Sequence, residues 1–304
     1  HRRQRQMCIR DSPLGMAGGY RSADPRRQYR VRTAFILLLA LTIAQAAESS
    51  SPRIVSLAPH LTELAFAAGA GEHVVGTVEY SDYPDAARNL PEVGNAWRVD
   101  MEQLVFLQPD VVLAWDEGTP VDLVARLEAM ALRVVTVPTF SLQEVANALR
   151  SIGRIAGTEQ QADAAAERFE AELKALSRRP AGQREMSVFV QLDDQPLYTV
   201  NGRHIIDEIV TRCGGRNVFA GLQQLAPAVS LEAVLARDPE VILNTDGTAA
   251  ETLSQWSRWT ELEAVQAGTI YALSPDTIAR PTPRILKGMA ETCAALEDAR
   301  ERLD

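Results

Sequence analysis

Short apolar runs alternate with stretches of helical spacing along most of this chain, and no other feature constrains its fold as strongly. Strands that alternate with helices build βαβ units, so the pattern predicts a mainly parallel sheet. The first series of predicted strands covers residues 54–57, 74–78, 111–114 and 133–137. Helices are predicted between and after them at residues 61–68, 101–107 and 121–131.

The alternation stops after residue 140, where two helices follow each other. Ser141 with Glu144 three residues later predicts a capping box for the first, and Gly157 ends it. The second is predicted over residues 158–177 with Thr158 as its N-cap. Twenty helical residues span ~30 Å, enough to bridge two lobes, although packing within a single domain stays open.

Strand and helix patterns resume near residue 186, which predicts a second, smaller βα lobe. Its strands are predicted at residues 186–191, 198–200, 241–244 and 270–273, and its helices at 204–213, 230–236 and 284–302. The expected fold is α/β, with two βα lobes whose mainly parallel sheets are joined by one long rigid helix. The expected boundaries are 53–157, 158–179 and 184–304.

The N-terminal region predicts export. Residues 26–32 are basic, residues 33–44 are apolar, and Ala44-Gln-Ala46 is a small–x–small cleavage pattern. We expect a signal peptide over residues 16–47, cleaved near Ala46-Ala47, and a periplasmic mature protein. The apolar run is shorter than the ~20 residues of a spanning helix, but an uncleaved anchor stays open. Residues 1–15 resemble no domain or signal and are expected to be an artefactual extension.

The charge is strongly acidic once the predicted signal is removed. Residues 1–47 hold nine of the 31 Lys and Arg but only two of the 40 Asp and Glu, which leaves 22 and 38 and a net charge of −16. Such a surface repels nucleic acid and anionic membranes, so neither is expected as a partner.

Two cysteines remain after the predicted cleavage site, Cys213 and Cys293. In an exported chain two cysteines most simply form one disulfide, with two buried thiols as the alternative.

Catalytic motifs are missing from the sequence. It has no Gly-x-Ser-x-Gly nucleophile elbow and no phosphate-binding glycine loop, and His60, His73 and His204 are widely separated. We therefore expect neither an enzyme nor a catalytic cofactor, although paired carboxylates stay open as acid–base groups.

Aromatic residues follow or precede the predicted strand ends. Tyr80, Tyr83, Trp97 and Trp115 all lie near the edge of a parallel sheet where ligands bind. Rigid aromatics with polar tips suit a large, flat, partly apolar ligand, whereas ordinary core packing is the alternative for each one alone.

Several motifs together resemble the cobalamin-binding receptors of ABC importers, a branch of the metal-chelate receptors with a helical backbone. They are Arg53-Ile-Val-Ser-Leu-Ala-Pro59, the string Tyr80-Ser-Asp-Tyr-Pro84, Trp97, Ala114-Trp115, Cys213-Gly-Gly-x-Asn217 and Pro283-Arg284. The resemblance covers roughly residues 52–296.

The resemblance implies a corrinoid held between two lobes and no reaction catalysed. Tyr80, Trp97 and Trp115 would line the first-lobe side, and Asp276 and Arg280 the second-lobe side. It also implies a Cys213–Cys293 disulfide. Glu102 and Glu232, one on each lobe, would dock a monomeric receptor onto an inner-membrane ABC permease, although each also suits the start of its helix.

Departures from the family's pattern fall on the second lobe. Leu192, Ala226 and Thr277-Ile278 stand where the family has aromatic residues. On the first lobe His60 replaces a small residue, and its imidazole could ligate cobalt or iron, or simply be solvated or hydrogen-bonded. A cobalt–His60 bond would make the light absorption of the ligand change with pH near pH ~6.5, the ordinary pKa of an imidazole.

Two rival hypotheses follow from these departures. The same fold could hold haem or an iron–siderophore, with Arg98, Arg203, Arg280 and Arg284 as candidate partners for an anionic chelate. A rival of a different class is a periplasmic enzyme or an interaction scaffold.

Overall fold

The structure is a computed structural model that describes residues 51–95, 97–179, 182–246 and 249–303. The predicted signal peptide and the N-terminal extension lie outside these residues. In the described part of the chain no helix has both the length and the apolar character needed to cross a membrane.

The first sheet is parallel throughout, with strand order β2-β1-β3-β4. Its strands are β1 (Ile54–Ser56), β2 (Val74–Gly76), β3 (Val111–Trp115) and β4 (Val134–Val137), and three helices connect or follow them, α1 (Pro59–Ala67), α2 (Met101–Phe106) and α3 (Val121–Ala129). The strands are apolar on both faces because helices cover both faces of a parallel sheet. Ile54 packs in one core cluster and its neighbour Val55 in another, as the two-residue period of a strand requires.

Two consecutive helices leave this sheet, as predicted. In α4 (Leu142–Ala156) the Ser141 and Glu144 side chains bond each other's backbone N–H, at 3.3 and 3.0 Å, which completes the capping box. Gly157 ends the helix in the left-handed conformation, with φ 74°. The next helix is α5 (Glu159–Leu176), and Thr158 is its N-cap residue, as predicted. The Thr158 side chain makes no capping hydrogen bond, because its hydroxyl donates to the Ala68 carbonyl at 2.8 Å instead.

The second sheet is also parallel, with strand order β10-β9-β5-β8. It contains β5 (Met186–Gln191), β8 (Gly215–Asn217), β9 (Val241–Asn244) and β10 (Ile270–Ala272), and a separate hairpin pairs β6 (Asp193–Asp194) with β7 (Leu197–Tyr198). Its helices are α6 (Ile205–Arg212), α7 (Leu231–Leu235), α8 (Ala249–Trp256), α9 (Glu263–Ala267), α10 (Pro275–Ile278) and α11 (Ile285–Leu303). The α/β fold with two parallel sheets is thus confirmed. The sequence missed β8, the hairpin as such, and helices α8 to α10.

One core cluster runs through both sheets by way of α5. Phe169 and Leu173 of α5 are buried in it together with Leu64 of α1 and Leu296 of α11. Residues from Ser51 onward therefore form one compact unit. The expected boundaries between the lobes stay a prediction.

A disulfide joins Cys213 and Cys293, whose Cα atoms are 4.6 Å apart. It ties the end of α6 to α11, across a sequence separation of 80 residues. Closing so long a loop reduces the entropy of the unfolded chain, which by the chain-entropy model is worth ~4.5 kcal/mol. The prediction of a single disulfide is confirmed.

Candidate functional site

Loops after the first three strands of the chain carry the residues that the sequence singles out. His60 lies in the first turn of α1, directly after β1, while Tyr80 follows β2 and Trp115 ends β3. Because β1, β2 and β3 are parallel, their carboxyl ends meet at one edge of the sheet. The structure therefore brings these three residues to the same edge.

The backbone of Tyr80 has an energetically unfavourable conformation. Its backbone has φ 66°, in the left-handed region that favours glycine, and 76% of its surface is exposed. A left-handed non-glycine residue costs about 1–2 kcal/mol, and an exposed ring recovers none of that by burial. Such outliers concentrate at functional sites, so the geometry supports a ligand contact for Tyr80.

Trp97 lies in a short loop that its neighbours fix. The Asn95 side chain accepts hydrogen bonds from the backbone N–H groups of Trp97 and Arg98, at 3.1 and 2.9 Å. Gly94 has φ 111°, and an added Cβ would lie 2.2 Å from the Arg98 carbonyl oxygen, so the turn requires glycine. The Trp97 side chain is 71% exposed, as expected for a ligand contact and not for a core residue.

Trp115 is fixed from two sides. Its backbone N–H donates to the Thr119 hydroxyl at 2.9 Å, and its ring lies so close to Gly118 that an added Cβ would come within 2.0 Å. The ring of His60 meets it edge to face, with centroids 5.1 Å apart. Trp115 is partly buried, packs against the core and lines a cleft, so its position is compatible with both of the roles that the sequence left open.

This cleft pocket lies between the two sheets. Trp115, Glu117 and Phe140 line it from the first-sheet side, and Arg203, His204 and Leu225 from the second. Its volume of about 100 Å³ is below the ~300–1,000 Å³ of sites that enclose a whole small ligand. A large flat ligand would therefore need the open surface around Tyr80 and Trp97 as well, or a wider separation of the lobes.

Arg280 connects the second-lobe side to the Tyr80 loop. Its guanidinium donates to Asp82 at 2.6 Å and pairs with Asp276 at 3.1 Å. Burial opposes ionisation of Asp82, but the hydrogen bond and charge of Arg280 outweigh it and lower the pKa of Asp82. The predicted pair Asp276 and Arg280 thus faces Tyr80's loop, although neither lines the pocket.

A second ionic contact was missed by the sequence analysis. Arg284 donates two hydrogen bonds to the buried carboxylate of Glu63, at 2.8 and 2.7 Å, and its guanidinium lies 3.9 Å over the ring of Tyr83. Glu63 and Arg284 are 221 residues apart, and no local pattern connects them. Arg280 and Arg284, considered as partners for an anionic chelate, are therefore already paired with carboxylates.

The histidines of the site are neutral. Burial, with a smaller effect from Arg280, lowers the pKa of His60 to about 3, and burial lowers the pKa of His204 to about 4. The Nδ1 of His204 accepts the Ile206 N–H at 3.2 Å and so caps α6. His60 is only 6% exposed, so a bond to a metal would first require the ring to be uncovered. In the described residues no group of three or more His, Cys, Asp or Glu could hold a metal ion.

Glu117 gives the pocket a carboxyl group of reduced acidity. Its side chain accepts the Thr139 N–H at 2.8 Å, but burial has the larger effect and raises the pKa of Glu117. No pattern in the sequence singles out this residue, because an acidic residue after a strand is common in an acidic protein.

The two glutamates predicted to dock a partner occupy equivalent positions. Glu102 is the second residue of α2, which Asp100 caps, and Glu232 is the second residue of α7, which Ser230 caps. Both are exposed. Hydrogen bonds from its own backbone and from Ser230 lower the pKa of Glu232, so it stays charged near neutrality.

Comparison with known proteins gives concordant results. The model of the family described as periplasmic binding protein matches residues 54–277. The vitamin B12-binding protein of Vibrio campbellii is 33% identical over 269 residues, which cover 88% of this chain and 98% of the relative. The solved periplasmic vitamin B12-binding protein of Vibrio cholerae has 34% identity and a TM-score of 0.76, covering 82% of this chain and 98% of its own. A solved periplasmic haem-binding protein of Roseiflexus sp. RS-1 has 25% identity and a TM-score of 0.72, with coverage of 82% and 99%.

Proposed function

We propose a function for this chain from the family to which it belongs, the periplasmic binding proteins. The protein captures a corrinoid of the vitamin B12 type and delivers it to an ABC-importer permease. The observation that carries the proposal is the similarity to vitamin B12-binding proteins over almost their whole length. The protein would act in the periplasm, bind its ligand without a covalent bond, and catalyse no reaction.

The site geometry supports this ligand class. Exposed Tyr80 and Trp97 offer aromatic surface, and partly buried Trp115 continues it into the cleft pocket. Flat, partly apolar rings gain most of their binding free energy from such surfaces, because water leaves both partners on contact. Asp276 and Arg280 would provide polar contacts from the opposite side.

Haem is the second candidate for two reasons. Haem-binding proteins share this fold. The second lobe of this chain also lacks aromatic residues at positions where the corrinoid receptors that it resembles have them. Haem would bring two carboxylates to a cleft where Arg280 and Arg284 already pair with acidic side chains. Its iron would need an axial ligand, and His60 is buried behind Trp115. We therefore rank haem below a corrinoid.

The docking step would use Glu102 and Glu232. Exposed carboxylates at equivalent positions of two lobes suit a partner with two basic patches, because complementary charges steer association and fix orientation. Replacing both by alanine is expected to leave corrinoid affinity unchanged and to reduce permease-dependent uptake.

Titration of the purified domain that begins at Glu48 tests the capture step. Cyanocobalamin, followed by tryptophan fluorescence and calorimetry, is expected to bind one to one with submicromolar affinity, whereas haemin and a ferric siderophore bind weakly. Trp97→Ala should weaken cyanocobalamin binding, and Trp259→Phe, a change in a separate core cluster, should not. Tight binding of haemin instead would transfer the proposal to haem, and no binding of any chelate would refute it.

A further inference from the structure

Two side chains in ring contact in the first lobe each carry an unpaired polar nitrogen. The Nε2 atom of His60 and the Nε1 atom of Trp115 are enclosed, and neither has a hydrogen-bond partner among the described residues. Their rings are in edge contact, with centroids 5.1 Å apart. Since buried polar atoms are almost always hydrogen-bonded, two unpaired atoms on touching side chains indicate a place where another group binds.

The pair borders the cleft pocket. Trp115 lines this pocket and is in ring contact with His60, which is not among the lining residues. A ligand group that displaces the indole edge would therefore also reach the imidazole behind this contact. The surface of His60 is only 6% exposed, so water has little access to the ring.

The hydrogen-bonding capacity of the pair is narrow. Trp115 Nε1 carries a hydrogen and can only donate. Burial lowers the pKa of His60 to about 3, so the imidazole is neutral near neutral pH and Nε2 either donates or accepts, according to its tautomer. The group that binds here must therefore accept a hydrogen bond from Trp115 Nε1, and it must accept from or donate to His60 Nε2.

We propose that His60 and Trp115 form a subsite for a primary amide group of the bound ligand. This inference rests on the proposed function, because corrinoids carry primary amides around the ring whereas haem carries carboxylates. With an unprotonated Nε2, the amide N–H donates to His60 while its oxygen accepts from Trp115. With a protonated Nε2, the amide oxygen accepts from both.

A carboxylate fits this subsite less well. Its charge would have to be buried beside a neutral imidazole and an indole, which costs far more than burying an uncharged amide. The carboxyl group of Glu117 also lines the pocket, so an acidic ligand group there would meet an acidic neighbour. The subsite therefore favours an amide-bearing ring over a carboxylate-bearing one.

The test compares cyanocobalamin with its monocarboxylic derivatives, in each of which one peripheral amide is hydrolysed. The domain from Glu48 is titrated with each, alongside the variants His60→Phe and Trp115→Phe, which keep an aromatic ring and remove the nitrogen. His73→Phe is the matched control, because His73 also has an unpaired buried nitrogen but is not in ring contact with Trp115.

One monocarboxylate is expected to bind the unaltered domain about tenfold more weakly than cyanocobalamin, a difference of one power of ten in Kd. His60→Phe and Trp115→Phe should each weaken cyanocobalamin by a similar factor and abolish the discrimination against that acid. His73→Phe should change neither. The indole N–H resonance of Trp115, assigned by its loss in Trp115→Phe, should shift when cyanocobalamin binds.

Two results would overturn the subsite. If the domain binds cyanocobalamin and His60→Phe keeps both its affinity and its discrimination, the nitrogens are satisfied by buried water and the subsite is refuted alone. If the unaltered domain binds no corrinoid, the proposed function fails and the subsite fails with it.

Discussion

The two sides of the cleft are built from different chemistry. The first-lobe side exposes Tyr80 and Trp97 and extends Trp115 into the pocket, whereas the second-lobe side brings Arg203, Leu225 and the Asp276–Arg280 pair. Aromatic surface supplies affinity without strict orientation, while charged groups fix orientation and also bond to protein partners. The comparison indicates that the first lobe would bind the ligand and that the second lobe would position it and hold the lobes together.

Two arginines carry the holding role in the structure. Arg284 pairs with Glu63 and Arg280 with Asp82, and both join the segment before α11 to the first lobe. The Glu63 carboxylate is buried, whereas Asp82 is partly exposed. Removing one partner of a buried pair leaves an uncompensated charge, so the Glu63 contact should matter more.

We expect the strongest loss of stability when the Glu63–Arg284 ion pair is broken. Arg284→Gln should lower the free energy of unfolding by about 3 kcal/mol, because the buried carboxylate of Glu63 loses its charged partner. Chemical denaturation at neutral pH measures this change in the free energy of unfolding. Asp85→Asn, which breaks the exposed pair of Asp85 with Arg88, is the matched control and should cost less than about 1 kcal/mol. Equal effects of the two changes would show that burial of Glu63 contributes nothing.

Truncating one residue on each side of the cleft tests which side contributes more to the binding free energy. Trp97→Ala should weaken corrinoid binding about thirtyfold, or about 2 kcal/mol, since an exposed aromatic anchor is lost. Leu225→Ala on the second-lobe side should change the dissociation constant by less than about threefold. Calorimetric titration of both variants measures the difference. A larger loss at Leu225 would reverse the assignment of the binding role to the first lobe.

Each side of the cleft also has one histidine whose pKa is lowered by burial, which predicts an acid-dependent stability. The pKa of His60 is lowered from 6.5 to about 3, so the unfolded chain binds the proton more tightly than the folded one. Stability is therefore complete above pH 6.5 and falls as the pH drops from there toward 3. At about pH 5 the loss from His60 amounts to roughly 2 kcal/mol.

Denaturation at several pH values checks this prediction. His60→Ala should flatten the dependence between about pH 5 and 7, while His204, with its pKa lowered to about 4, keeps a residual slope. An unchanged slope in His60→Ala would contradict the burial of a neutral ring. The same neutrality means that ligand absorption should not change near pH 6.5, where a cobalt–imidazole bond to an ordinary histidine would titrate.

Much of the architecture could be predicted because its signals are local. Apolar runs with helical stretches between them gave four strands of the first sheet and three of the second, since a parallel sheet covered on both faces requires such runs. The capping box at Ser141 and Glu144 was readable because both partners lie within one turn. Strand β8 was missed because Gly215-Arg-Asn217 is neither apolar nor β-branched, and only pairing with β5 makes it a strand.

The groups available at the cleft can be read from the amino-acid sequence: aromatics after parallel strands, two cysteines for one disulfide, and acidic residues at two helix starts. How these groups are used depends on the tertiary structure. It buried His60 against Trp115, where burial lowers the pKa of the imidazole, and it brought Arg280 to Asp82 and Arg284 to Glu63. The physical reason is distance along the chain: local signals act over a few residues, whereas pairing, burial and pKa depend on groups that folding brings together from some 200 residues away.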